Sequence, residues 1–566
     1  MRYIFLHFFM LWMTKAVPQR GDVQWTMLLC KYRGTDSVPH ERDWYVRWMT
    51  DDTLDGSIAY FFRKASNGVY TTGQSQVHGW FEIPFTKQEM LDLANRDERI
   101  RTLVDPNRRI YVKTKEICYD YASTVLHIDI PSPRRLITVV NDEDTAVFCL
   151  AFGVLVTPRF MITAAVVHEM AHSFNLGHSY SDVERRVFSH AEPGEYDDRY
   201  DLMSTANAHM YRSTEFGLVG PGFNGPNLDY LGWLPSYRTY YFGKQDSDRG
   251  LPPETSIRMS SLSRAHAQTS DWLLILIPYD RDDPQKVYTV EYRTRENLDA
   301  EIPKPVILIH QISRRENGAF LYSKLLNQGG EGPAYELHAG QEWRVFLDNR
   351  IQSRFIRVKV DWIDEKEAIA QVTVFSHFSP TSCAKGEVQR AAYEFDIPCV
   401  SASEKSEIQD QNKKNAGRID RNTGRCLPAF VPRKAGPDDL VCVTTSEREV
   451  VQRQNEKWQS YREFYAQSTF GLNACRKGLL WRQIDPYDYV CVGERRVDEV
   501  RKQYEQDEAR RLGSSECANG FVQRQATVDD IICVTEGERL QVLIENKKPN
   551  ENLLYQQFFN ADNQLQ

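Results

Sequence analysis

The densest concentration of reactive residue types lies between His168 and His178, in the stretch HEMAHSFNLGH. His168 and His172 are four residues apart, so on an α-helix their imidazoles leave one face a turn apart and both can reach a single Zn²⁺. Glu169 projects along the same groove without being a ligand, where it can take a proton from an attacking water and hand it to a leaving amine. His178 cannot share that helical face, so the chain must turn back to bring it in as the third ligand. Asn175 stands where the turn is needed, and asparagine tolerates φ > 0 better than most residues with a side chain. Gly177 adds further freedom. Three protein nitrogens leave a fourth position for water, which marks a catalytic zinc site and not a structural one.

At this chain's histidine and glutamate content, HExxH arises by accident roughly once in fifty such sequences. A third histidine at a fitting distance lowers that by roughly another fortyfold. The apolar lead-in TAAVVHEMAH sets the motif on a buried helix. HExxHxxxxxH, followed by YDLMS at 200–204, resembles the metzincin zinc peptidases, which carry a methionine turn beneath the metal. Met203 takes that place. Within the clan the chain is most similar to secreted gametolysin-like and immune-inhibitor-A-like peptidases, over about residues 24–376. The resemblance implies one catalytic Zn²⁺ and a mixed-sheet lobe beside the zinc helix, with an edge strand that pairs with the substrate backbone. Asn175 replaces the family's glycine between the second and third histidines. Thr205 stands two residues past Met203, where some metzincins have a tyrosine that approaches the zinc, so that contact is not assumed.

The elements that must position these residues can be read along the chain. A length of 566 residues predicts two or three domains. A net charge of −8 without a long basic run argues against a nucleic-acid partner, and no apolar run is long enough to span a bilayer. Met1–Ala16 has the basic start, short apolar core and small residues of a secretory signal peptide, the alternative being a buried first strand or helix. No Asn-x-Ser/Thr sequon is present, so export rests on the leader and the cysteines. VQWTMLLCKY reads as a buried strand, leaving no room for a folded propeptide. ERDWYVRWM, GSIAYFFRKAS and residues 87–104 read as helices, SNGVYTTGQSQVHGWFEIPF as a hairpin or edge strands, and STVLHIDI and LITVVND as strands. The loop EPGEYDDRYD reads as a solvated acidic loop, with Ca²⁺ binding through its carboxylates as the weaker alternative. His190 and His209 are taken as surface or supporting residues. A short apolar helix within 220–235 closes the lower lobe and lines the site's primed side.

Alternating runs between about 250 and 378 predict a β-sandwich, with His310 packed in one of its strands. Beyond it, cysteines recur sixteen apart: Cys383 and Cys399, Cys426 and Cys442, Cys475 and Cys491, Cys517 and Cys533. Each interval holds an arginine seven residues in (Arg390, Arg433, Arg482, Arg524) and an aspartate thirteen in (Asp396, Asp439, Asp488, Asp530). Units this small need a staple, so pairing within each unit is expected, with Arg and Asp paired across the loop. A ligand-contact role for those two residues is the alternative. Cys30, Cys118 and Cys149 are odd in number, and Cys30 reads as a buried small hydrophobe.

The fold class expected is α+β: a metzincin-like catalytic domain (17–245) of mixed sheet plus zinc helix, an all-β sandwich (246–380) and four small disulfide-stapled repeats (381–566). The expected function is that of a secreted zinc metalloendopeptidase acting on a protein or peptide substrate, with Glu169 as base. Two competitors are an adhesion protein whose tail binds a matrix or wall ligand, and a zinc hydrolase of non-peptide substrates.

Overall fold

The computed structural model describes residues 19–547 apart from single residues and short stretches, the longest being 243–253, 315–320, 328–333 and 348–354; the leader at 1–16 lies outside the described residues. Thr26–Lys31 (β1) is an unbroken apolar run because both its faces are covered. It pairs in parallel with Gln76–Glu82 (β2) and Leu136–Asn141 (β3). Gly153–Val156 (β5) continues the parallel set, and Val147–Leu150 (β4) lies antiparallel to it at the edge, giving the order β2-β1-β3-β5-β4. Helices Arg42–Thr50 (α1) and Ile58–Ala65 (α2) bury their apolar faces in the lobe's core, and Lys87–Arg96 (α3) starts at a Thr86/Glu89 capping box. Glu98–Leu103 (α4) and Arg109–Asp120 (α5) follow.

Of the hairpin or edge strands expected after α2, the edge strand is present: β2 lies at the sheet edge in a parallel pairing, while the Asn67-Gly68 pair ends α2 in left-handed conformation (φ 53° and 82°) and joins no hairpin. Two expectations are corrected. STVLHIDI is not a strand, because both sides of β1 are already taken; 121–125 extend α5 as a π-turn, and Ile128 and Ile130 pack on Leu28 and Leu136. Cys30 is bonded to Cys118, tying β1 to α5 across 88 residues. Closing a loop that long is worth on the order of 4–5 kcal/mol in the chain-entropy model. Cys149 takes no part in the disulfides; its Sγ is 3.7 Å from Ser173 Oγ.

The expected sandwich strands are present. Leu274–Pro278 (β9), Val287–Arg293 (β10), Val306–Arg314 (β11) and Leu321–Leu325 (β12) form one sheet. Glu254–Ser260 (β8), Glu342–Phe346 (β13), Phe355–Asp364 (β14) and Ile369–Ser376 (β15) form the other. Alternation divides the first sheet's side chains. Ile275, Ile277 and Val290 face the second sheet, while Leu274, Leu276 and Ile312 enter the catalytic lobe's core. Two strands of the lobe complete that sheet, Tyr180–Ser181 (β6) beside β12 and Thr239–Tyr241 (β7) beside β9, so the lobe and the sandwich share a hydrogen-bonded sheet.

In the tail, each pair of cysteines sixteen apart is bonded within its unit. Each repeat arginine makes a buried two-pronged pair with its aspartate, as in Arg433–Asp439 at 2.8 and 3.0 Å. The units also associate two by two. Arg390 donates to Ala435 O (3.1 Å) and Arg433 to Ala392 O (3.2 Å), while Ile408 and Val451 from the helices Ala402–Lys414 (α8) and Thr445–Tyr465 (α9) close a shared core. Units three and four pair through Ile484, Val500 and Val542. The third unit is seated on the lobe: Tyr489 Oη donates to Leu234 O (2.6 Å) and Leu472 N–H to Asp229 Oδ2 (2.9 Å).

Candidate metal centre

The helix that carries the motif, Thr163–His172 (α6), begins where Trp48 Nε1 donates to Thr163 Oγ1 (2.8 Å) and Thr163 donates to Gly56 O (2.5 Å). Val166, Val167 and Met170 anchor it in the core. The chain then reverses at Asn175, whose φ is 63°. This returns His178 to the helix, and one ligand atom from each of His168, His172 and His178 lies within 4.8 Å of the others.

Each ring is fixed from behind. His168 Nδ1 donates to Leu202 O (3.1 Å), His172 Nδ1 to Leu176 O (2.8 Å) and His178 Nδ1 to Glu195 Oε1 (2.5 Å). Because the carbonyl and carboxylate oxygens accept, the protons sit on Nδ1 and the three Nε2 lone pairs converge. That is the arrangement a metal requires of its outer partners, so the donor set fits a divalent ion such as Zn²⁺. Burial and the neighbouring imidazoles push His168 well down and His172 to about 4. Met203 is buried in the turn Leu202–Ser204, which supplies the Leu202 carbonyl that holds His168 and, through Met203 O, accepts Ser179 N–H (3.2 Å). Thr205 turns its hydroxyl back onto Leu202 O at 2.6 Å.

Glu169 lies between the histidines and the edge strand β4, whose Cys149 N–H donates to its carboxylate. Burial raises its pKa to about 7 against the pull of that N–H and of Arg108 and Lys115. Lys115, on α5, is itself lowered to about 8 by burial and donates to Gly153 O (2.8 Å). Arg108 is exposed at the start of α5, 6.0 Å from the Phe148 ring of the edge strand.

The loop expected to be solvated has exposed residues at Glu192, Pro193 and Arg199, but its other four acidic side chains are buried. Asp197, Asp198 and Asp201 are inaccessible to solvent, and Glu195 is nearly so. Asp197 pairs with Arg185 (2.6 Å), and Asp198 accepts from His310 Nε2 (3.0 Å) and Asn224 Nδ2 (3.1 Å). Asp201 takes Ser179 Oγ–H and Asn227 Nδ2 (2.8 Å). Burial would raise the Asp198 carboxyl, but His310 holds it down; burial and the neighbouring Asp198 push Asp201 to about 7. Burial disfavours the His310 cation, but Asp198 and Glu291 outweigh it and raise that group. These oxygens are engaged by protein donors, and among the described residues the three histidines form the candidate metal cluster. His310 is a core residue, as expected, fully buried and paired with Asp198. His190 stacks on Phe188 and His209 lies against Tyr200, both outside the cluster.

No family model and no curated protein matches this chain. Sequence reasoning brought together His168, Glu169, His172, His178 and Met203. It missed Glu195, Tyr196, Lys115 and Arg108, which carry no spacing signature relative to the histidines.

Proposed function

We propose that the chain is a secreted zinc metalloendopeptidase of metzincin type. The observation that carries this reading is the convergence of the three histidines with Glu169 beside them, against the edge strand β4. When bound, zinc would supply Lewis acidity toward a carbonyl oxygen and a lowered pKa for water. The edge strand β4 pairs with an extended substrate through its backbone groups and lays a peptide bond over the histidines. Glu169 takes one proton from the attacking water as the water oxygen bonds to the carbonyl carbon. It returns that proton to the nitrogen as the C–N bond breaks, and the second water proton follows from the new carboxyl group to the amine, so that one water is consumed and a carboxylate and an ammonium group are released. Five disulfides suit an oxidising compartment, and no described helix is long and apolar enough to cross a membrane.

The test is metal content and peptide-library cleavage on the full chain, wild type against Glu169→Gln. One zinc per chain in both, with turnover falling about 10²–10⁴-fold in the variant, is the expected result. A folded wild type that takes up no zinc refutes the reading; zinc in both with equal cleavage removes Glu169 as base.

A further inference from the structure

Beside the histidines stands a side chain that none of the metal-holding or proton-moving roles has used. Tyr196 Oη lies 3.0 Å from His178 Nε2, and its ring centroid is 4.2 Å from that of His178. Because His178 Nδ1 already gives its proton to Glu195, Nε2 is an acceptor and the tyrosine hydroxyl donates to it. The phenol is thus aimed at the very lone pair that a metal ion takes. Once that lone pair is used, the hydroxyl keeps its place at the rim of the metal position with its proton free to go elsewhere.

The backbone holds it there at a cost. Tyr196 has a φ of 62°, in a region where a bulky residue is strained by about 1–3 kcal/mol. Its N–H is fixed to Ser179 O (3.0 Å) and its carbonyl to Asn207 Nδ2 (2.7 Å). The Phe188 ring packs edge-on against it at 5.4 Å. Glu195, the residue before it, orients His178, so one dipeptide sets the third histidine from behind and a hydroxyl donor in front.

We propose, resting on the metallopeptidase reading, that Tyr196 is a catalytic residue: its neutral hydroxyl donates a hydrogen bond to the carbonyl oxygen of the scissile peptide as negative charge builds there. Such a donor is of use only as the oxygen becomes anionic, so it acts on turnover and not on substrate affinity.

The experiment compares wild type and Tyr196→Phe as full chains. It reads zinc affinity by chelator competition, kcat and KM on one cleaved peptide, and calorimetric affinity for a phosphinic peptide, whose tetrahedral oxyanion mimics the developing charge, against the matching product peptide. The assignment expects zinc affinity and KM within about threefold, kcat lower by about 10²–10³-fold, and phosphinic-peptide affinity reduced while product affinity is unchanged. A kcat within about threefold of wild type, or a loss that follows weaker zinc binding alone, overturns it. Tyr196→Leu serves as a check on packing, and an equal deficit in Phe and Leu with zinc retained supports the hydroxyl. A wild type that binds zinc and cleaves while Tyr196→Phe is unimpaired sinks only this assignment; a wild type that does neither sinks the peptidase reading with it.

Discussion

Removing the Glu195 carboxylate asks how firmly the third histidine is held. Its two oxygens have separate duties: Oε1 takes the His178 Nδ1–H at 2.5 Å, and Oε2 takes the Glu192 N–H at 2.7 Å, at a residue only 8% exposed. Partners of this kind are worth about 10- to 100-fold in metal affinity, or about 1.4–2.7 kcal/mol. Glu195→Ala leaves a partly buried Nδ1–H without its acceptor and frees the ring to rotate, which places the variant at the upper end. Glu195→Gln keeps one oxygen and presents an NH₂ to whichever donor is left over. It can hold His178 by giving up Glu192 N–H, so its loss falls nearer the lower end. The assay is competition between the metal-stripped full chain and a chromophoric chelator of known zinc affinity, with circular dichroism as the check on folding. Both variants within about threefold of wild type, or a glutamine variant weaker than the alanine one, would refute the reasoning.

The remaining expectations concern the supports. Asp229 is buried where the third repeat meets the lobe, and burial raises its pKa from 3.8 to about 7. A carboxyl raised in this direction loses its stabilising contribution as pH rises from 3.8 through 7, so Asp229→Asn gains on wild type across that window, by on the order of 4 kcal/mol above it; denaturant midpoints at pH 4 and pH 8 check this, and a constant offset would contradict it. Arg433→Met strands Asp439 in the shared core of units one and two and is expected to cost about 3–5 kcal/mol there. Hydrogen exchange should then rise around Ile408 and Val451 while the lobe keeps its protection, and unchanged exchange in that core would count against the ion pair's role.

The histidine cluster was legible because its geometry is mostly local. His168 and His172 need one helix, and the reversal to His178 needs one tolerant residue, which Asn175 provides at φ 63°. The repeats were legible because equal intervals advertise themselves, down to each Arg–Asp pair. What supports these groups was not. The acidic stretch 192–201 has the composition of a solvated loop, yet Asp198 within it is buried against His310 and Asn224, which lie far along the chain. STVLHIDI has the β-branched content of a strand but finds no free edge beside β1. Cys30 sits in a run that hides a cysteine as readily as a valine, and its bond to Cys118 depends on how α5 crosses the sheet. Nor does a repeat's spacing reveal that the units join two by two, since that depends on which carbonyl each arginine reaches.

The His310–Asp198 contact bears on how such a chain could be cut, shuffled or borrowed by evolution. A break near residue 245 would look safe by composition, yet it would remove His310 from Asp198 and leave Asp198 and Asp201 facing each other in the dark. A break near 380 would spare that pair but uncover the seat of Tyr489 on Leu234. The smallest heritable unit that keeps these contacts is therefore longer than the lobe that holds the histidines. Exchange between genes would have to carry lobe, sandwich and third repeat together, whereas the first two repeats, closed upon each other, are the part of the tail best suited to be duplicated or exchanged.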